Sequence, residues 1–324
     1  PIFASYITIL VVLIFGGNSN LYEIQNQQLY RKTNVTLNEM VQYGFVAKSQ
    51  RKTIEKEIRL GKKNVMDKRI VIGLLTKNGI KHIAKVKKKL DLFVQYFADY
   101  RVLIFENDST DNTREILNEW SQIDPKVILL DCSKLGSEDC KLNMQDPKSG
   151  GYTSFSRSEK MAFLRQQILN EVQSTYSLWD YFCIFDFDLS GAFFIDGFLT
   201  TFAKSNWDMV FGNGLTFTPV PFLHAKPFVY DCFAFVGQHQ NYHSTSEISH
   251  FFSCNKLLEK YIRKMKWCPS RSGFNGIAIY KIASLKNASY TPQKNLRCEH
   301  VFLHVSMAQN GHDKICQQRN QSEV

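Results

Sequence analysis

The sequence has no Cys-x-x-Cys pair and no Cys-x-x-Cys ladder followed by spaced histidines, so its eight scattered cysteines lack the spacing of a structural zinc site. It has no aromatic RNP pattern and no evident helix-turn-helix either, which sets nucleic acid aside as a partner. No apolar run reaches the ~20 residues of a full membrane span. The one at the start, PIFASYITILVVLIFGG over residues 1–17, carries no charge and falls slightly short. Nothing in the composition suggests a fibrous or disordered chain.

What is present is a globular composition. A chain of 324 residues, 44% hydrophobic, can bury one large core or two modest ones. Lys and Arg outnumber Asp and Glu by 40 to 30, and much of the excess falls between Lys48 and Lys89. Such a stretch suits an anionic membrane surface or a phosphorylated substrate, or it is a solvated helix face. The even cysteine count is compatible with disulfides in an oxidising lumen, Cys132 with Cys140 and Cys254 with Cys268 being the local pairs. Cys183, inside an apolar run, is expected to pack as a free thiol.

The organisation follows from shifts in pattern. Residues 1–17 are expected to be part of a signal-anchor, with a signal peptide or a buried element as the other readings. Residues 18–66 are polar with no sustained apolar period, as a stem would be; 67–316 form the catalytic domain and 317–324 a polar tail. This arrangement predicts a single-pass type II membrane protein facing an ER or Golgi lumen, and the sequons Asn34-Val-Thr36 and Asn287-Ala-Ser289 agree with it. From Lys68 onward strands alternate with helices: RIVIGLL, YRVLIFEND, KVILLDC, DYFCIFDFD and WDMVFGNG read as strands. The run SRSEKMAFLRQQILNEVQ is a long helix, and a last one lies near His304–Gln309. Ser109 or Thr110 would cap the helix after the second strand. The pattern predicts an α/β fold, a three-layer α/β/α sandwich with a mostly parallel central sheet whose ligands bind beyond the carboxyl ends of the strands.

An apolar strand, YFCIF, ends in Asp186-Phe187-Asp188. In extended chain, residues two apart point to one side, so both carboxylates can face one hard cation such as Mg²⁺ or Mn²⁺. The cation also relieves the repulsion of two close carboxylates.

FENDSTDNTREIL at 105–117 resembles a signature of GT-A glycosyltransferases related to the fungal capsule-associated mannosyltransferases and to several large-virus and family-2-like sugar transferases. The segments SRSEKMAFLRQQIL, FDFDLSG, SGFNGIAIYK and CEHVFLHVSMAQNGHDKI continue that resemblance in order from about Arg69 to Ile315. It implies a Rossmann-like GT-A fold, a UDP- or GDP-sugar donor, a divalent metal and a glycan-type acceptor. It also implies that Lys77, Asn78, Glu106, Asn107 and Asp108 line the nucleotide pocket. Arg157 and Arg165, eight apart on one helix face, would fork the diphosphate beside Asp186. His300 or His304 would add a third protein ligand to Asp186 and Asp188. Asp231 and Glu247 are the acceptor-side carboxylates that could act as catalytic base. The glycines of Gly273-Phe-Asn-Gly276 would let backbone approach a sugar ring, and Trp207, Phe211, Phe217 and Phe274 are aromatics that could stack on one. The sequence departs from the family at its end, where KICQQRNQSEV is polar, and this puts the last strand in question. Two other readings stand beside the transferase: a nucleotidyltransferase, for which GLLTKNG is a poor phosphate loop, and a non-catalytic, membrane-tethered carbohydrate-binding protein.

Overall fold

The structure is a computed structural model describing residues 32–42, 46–131, 155–189, 191–212, 215–216, 228–229, 231, 233–242, 267–296 and 298–317. The expected anchor at 1–17 lies outside the described residues, as does one or both members of each expected cysteine pair. Among the described residues no helix is long and apolar enough to cross a membrane.

The expected α/β architecture is present. Strands β1 (Arg69–Thr76), β2 (Asp99–Glu106), β3 (Val127–Asp131) and β4 (Tyr181–Asp186) are parallel, in the Rossmann-like order β3-β2-β1-β4. Beyond β4 the sheet becomes mixed. β10 (Ile277–Lys281) runs antiparallel between β4 and β5 (Met209–Phe211), followed by β11 (Ile315–Gln317), β9 (Cys268–Ser272) and β8 (Val236–Gly237). A separate two-stranded ribbon pairs β6 (Leu215–Thr216) with β7 (Phe228–Val229). The strand in question at the chain's end therefore forms: β11 lies parallel to β5 and antiparallel to β9.

Strand periodicity sends alternate residues into two cores. Ile70, Ile72, Leu74, Cys183 and Phe185 meet α3 (Ile83–Val94), α4 (Thr113–Ile123) and α6 (Ile195–Thr201). Val71, Leu103, Phe182 and Ile184 meet α5 (Phe155–Thr175) and α7 (Glu299–Gln309). The three layers are thus helix, sheet, helix. Gly73 permits the close approach of α5, since a Cβ there would come within 2.8 Å of Ile168 Cγ2 and 2.9 Å of the Phe182 ring. Cys183 is buried and free, as its apolar strand suggests.

Two sequence expectations change. The segment before Lys68 is not all featureless stem: after a short helix α1 (Leu37–Gln42), helix α2 (Arg51–Val65) buries Ile54, Ile58, Gly61 and Val65. That spacing is helical, but the surrounding lysines hide it from a reading by composition. Gly61 is backed by the Leu199 carbonyl, 1.7 Å from where a Cβ would stand, so α2 and α6 touch backbone to backbone. Ser109 and Thr110 do not cap α4 either; Asp111 Oδ1 accepts the Thr113 N–H at 3.1 Å, and the two hydroxyl residues bond elsewhere.

Candidate active site

Register brings the polar motifs to one edge. Thr76 is paired with Glu106, and Leu75 with Asp186, so the exits of β1, β2 and β4 lie side by side. The loops leaving β1 and β2 are laced together: the Asn78 N–H donates to Ser109 Oγ at 2.7 Å, and Asn78 Oδ1 accepts the Thr110 N–H at 2.8 Å. Both loops contain a non-glycine residue in the left-handed region, Asn78 at φ 53° and Asp108 at φ 50°, and Asn275 (φ 53°) lies in the third loop of the site. Asn and Asp tolerate that region better than most residues, and such backbone clusters at functional sites.

Lys77, Asn78 and Asp108 are exposed at this edge and Asn107 is half-buried. Glu106 differs from expectation. It is fully buried, with Oε1 accepting the Ser109 N–H at 2.6 Å and Oε2 paired with the Arg114 guanidinium, which also reaches Asp108 at 3.0 Å. Both oxygens are committed to shaping the loop, so Glu106 is an internal support of this edge and is not open to a ligand.

The Asp pair leaves β4 in a supported turn. The Asp186 N–H donates to the Gly276 carbonyl at 2.9 Å, and the Phe187 ring is buried against Gly79, where a Cβ would come within 3.0 Å of it. Asp188 is exposed, and Asp186 is partly so. Burial pushes the Asp186 carboxyl up to about 7; Arg165 pulls it back, and Asp188 and Asp231 add to the rise.

Arg165 also has a different occupation from the expected one. It is buried on α5, with Nη2 3.2 Å from Asp186 Oδ1, Nε 3.2 Å from Glu299 Oε1, and its guanidinium 5.2 Å from the centre of the Phe274 ring. Burial opposes its charge, but Glu299 and then Asp186 outweigh this and hold it above the usual range. A guanidinium so engaged is the internal counter-cation of the acidic site and is not an open fork for diphosphate. Arg157, two turns earlier, is exposed.

Asp231 joins the group. Its N–H donates to Asn275 Oδ1 and its Oδ1 accepts the Ala234 N–H, both at 3.1 Å. Burial pushes its carboxyl up to about 6, the Ala234 bond lowers it, Glu299 raises it and Arg165 lowers it. Glu247 and Phe217 lie outside the described residues.

The two histidines part company. His304 is buried with both ring nitrogens engaged, Nδ1 with Ser272 Oγ at 2.7 Å and Nε2 with the Tyr280 hydroxyl at 3.0 Å. Burial pushes it down to about 3, so it is a neutral link in the core, and this corrects its place among candidate ligands. His300 is buried against Phe274, ring centres 3.8 Å apart, and neither nitrogen has a hydrogen-bond partner among the described residues. Burial, then Arg165 and His304, hold it well below its usual range. It is neutral, with a lone pair to offer.

Gly273 and Phe274 are internal as well. A Cβ at Gly273 would come within 2.3 Å of the Phe211 ring, and Phe211, Phe274 and Trp207 are all buried, so none of the three is available to stack on a sugar. The sequence reading passed over three residues: Glu299, the partner of Arg165; His82, at the head of α3 within electrostatic reach of Asp188; and the buried Lys89. An acid in the first turn of a helix was the available signal for Glu299.

As a metal site, Asp186 and Asp188 supply two hard oxygen donors at a mouth open to solvent. Among the described residues no set of three or more His, Cys, Asp or Glu side chains is arranged to hold a metal ion. Two carboxylate donors are the kind of oxygen ligand that Mg²⁺ or Mn²⁺ takes, with waters and phosphate oxygens completing its shell.

No protein-family model matches the chain, and no curated protein matches it. Solved structures that resemble it include TarS residues 1–349 from S. aureus, at 13% identity and a TM-score of 0.42, covering 78% of this chain and 59% of that one. Another is the mannosyltransferase PcManGT from Pyrobaculum calidifontis in complex with GDP-Man and Mn²⁺ (13%, 0.39, 82% and 63%). A third is glucosyl-3-phosphoglycerate synthase from Mycobacterium tuberculosis in complex with UDP (12%, 0.38, 81% and 72%). The chain spans less than two-thirds of the length of the first two. At these identities and TM-scores the similarity assigns neither an activity nor a ligand to this chain.

Proposed function

We propose that the chain is a GT-A type glycosyltransferase that moves a sugar from a UDP- or GDP-sugar to the hydroxyl of a glycan, glycoprotein or glycolipid acceptor, with Mn²⁺ or Mg²⁺ bound at Asp186 and Asp188. The observation that carries this reading is the Asp186-Phe187-Asp188 turn at the carboxyl edge of β4, beside two interlaced loops whose exposed Lys77, Asn78 and Asp108 suit a nucleotide. Ordered motifs from Arg69 to Ile315 support it.

A bound cation would offset the diphosphate charge that grows as the glycosidic bond breaks. The chain's own residues do the rest. Arg165 and Glu299 hold Asp186 in place from behind, and neutral His300, within the field of the same Arg165, is the further donor we propose. Asp231, with a carboxyl pushed up to about 6, is ionised at neutral pH yet more basic than an ordinary aspartate, which suits a base that takes the acceptor's proton. Residues 1–17 would tether the domain to a secretory-pathway membrane.

The test is titration calorimetry of the full chain with a panel of nucleoside diphosphates and nucleotide sugars, with and without Mn²⁺, for the native protein and Asp188→Ala. Binding of one nucleotide class that needs metal and drops at least tenfold in the variant is expected. Absence of nucleotide binding under every metal condition would overturn the reading.

A further inference from the structure

Lys89 is the buried charge that the active-site chemistry leaves unexplained. It lies on the inward face of α3 at 2% exposure, among Ile72, Leu90, Phe93, Phe185 and Phe193. No carboxylate among the described residues pairs with it. Its Nζ donates to the carbonyl of Leu189 at 2.5 Å and stands 4.8 Å from the centre of the Phe193 ring. Burial, with Lys85 nearby, lowers its pKa to about 8. An apolar side chain of similar length would fill this space without the desolvation cost, so stability alone gives no reason for a lysine here.

Its position supplies the reason. Leu189 follows Asp188 directly, and the peptide bearing the Asp188 carboxylate is the outer limb of the turn. The inner limb is held from the other layer of the sandwich by Arg165 on Asp186, and by the Gly276 carbonyl on the Asp186 N–H. From the α3 side Phe187 rests on Gly79, while Lys89 takes the first carbonyl after the pair. Without Lys89, the bond from the Leu189 N–H to the Asp186 carbonyl, at 3.3 Å, is the hold described for the exposed limb.

We infer that Lys89 is a positioning residue: by gripping the Leu189 carbonyl from the opposite layer to Arg165, it holds the backbone that carries Asp188 in place beside Asp186. It touches neither substrate nor ion. A preset pair binds without first losing backbone freedom, so the grip acts on affinity for the metal-bound nucleotide. This role rests on the transferase reading for its use, but the grip itself does not.

Lys89→Met, which keeps the bulk and removes the donor, separates the two. In ligand-free full-length protein, amide hydrogen exchange over residues 187–192 is expected to quicken at least tenfold, with the midpoint of thermal unfolding unchanged or raised. Mn²⁺-dependent nucleotide binding should weaken at least fivefold, and Lys89→Arg, which restores a donor, should recover part of it. Unchanged exchange in this segment would overturn the inference whether or not any nucleotide binds. Quickened exchange with unaltered metal-dependent affinity would likewise overturn the positioning role. If exchange quickens and the native protein binds no nucleotide at all, the grip stands and the transferase reading fails.

Discussion

Replacing Arg165 by methionine tests how the site balances its charge. The guanidinium is 5% exposed and makes two ion-pair hydrogen bonds of 3.2 Å, to Asp186 and to Glu299, with Asp231 also within its field. Removing one partner of a buried pair leaves the other uncompensated, at a cost of about 3–5 kcal/mol. The loss should depend on pH. Asp186 already sits at about 7 and Asp231 at about 6, both above the unfolded value near 3.8, and both are pulled down by Arg165. Without the guanidinium they rise further. A carboxyl raised in the folded state favours folding at low pH and loses that contribution as pH climbs through its folded pKa. The variant should therefore lose most stability near pH 7.5 and less near pH 5.5, where Asp186 and Asp231 hold protons. Urea denaturation of native protein and variant at the two pH values measures this. A loss below about 1 kcal/mol, or one equal at both, would refute the account of Arg165 as the site's counter-cation.

Two further outcomes follow from the same geometry. His304→Leu should cost about 1–3 kcal/mol in thermal or chemical denaturation by leaving Ser272 and Tyr280 without their partner, yet leave Mn²⁺ affinity unchanged, whereas His300→Leu should weaken Mn²⁺ binding, read by titration calorimetry. Glu106→Gln should cost about 1–3 kcal/mol by turning an amide toward Arg114, and exchange of the Ser109 amide, followed by NMR, should quicken as the loop loosens.

The strand-helix alternation from Lys68 to Phe211, the mostly parallel sheet it implies and the Asp pair at the end of an apolar strand rest on local signals, and all were legible. Residues on a strand or helix are neighbours by geometry, so their pattern survives in the linear text. The roles of Glu106, Arg165 and His304 were not legible, because a polar residue in a motif reads the same whether it faces a ligand or an internal partner. Glu106 is spent on Arg114, eight residues on, and Arg165 on Glu299, 134 residues away. The helix at Arg51–Val65 was obscured because its charged flanks outweigh four buried positions until α6 is there to cover them.

The sequence by itself determined the layers of this protein and the edge of the sheet where its acidic and polar motifs gather, since those follow from periodicity and from strands that end in charge. Only the tertiary structure decided which charged groups are free to act. Burial and long-range pairing set that, and they placed Asp231 within the field of Asp186, took Arg165, Glu106 and His304 into internal bonds, left both His300 ring nitrogens without a hydrogen-bond partner among the described residues, and set Lys89 beneath the turn.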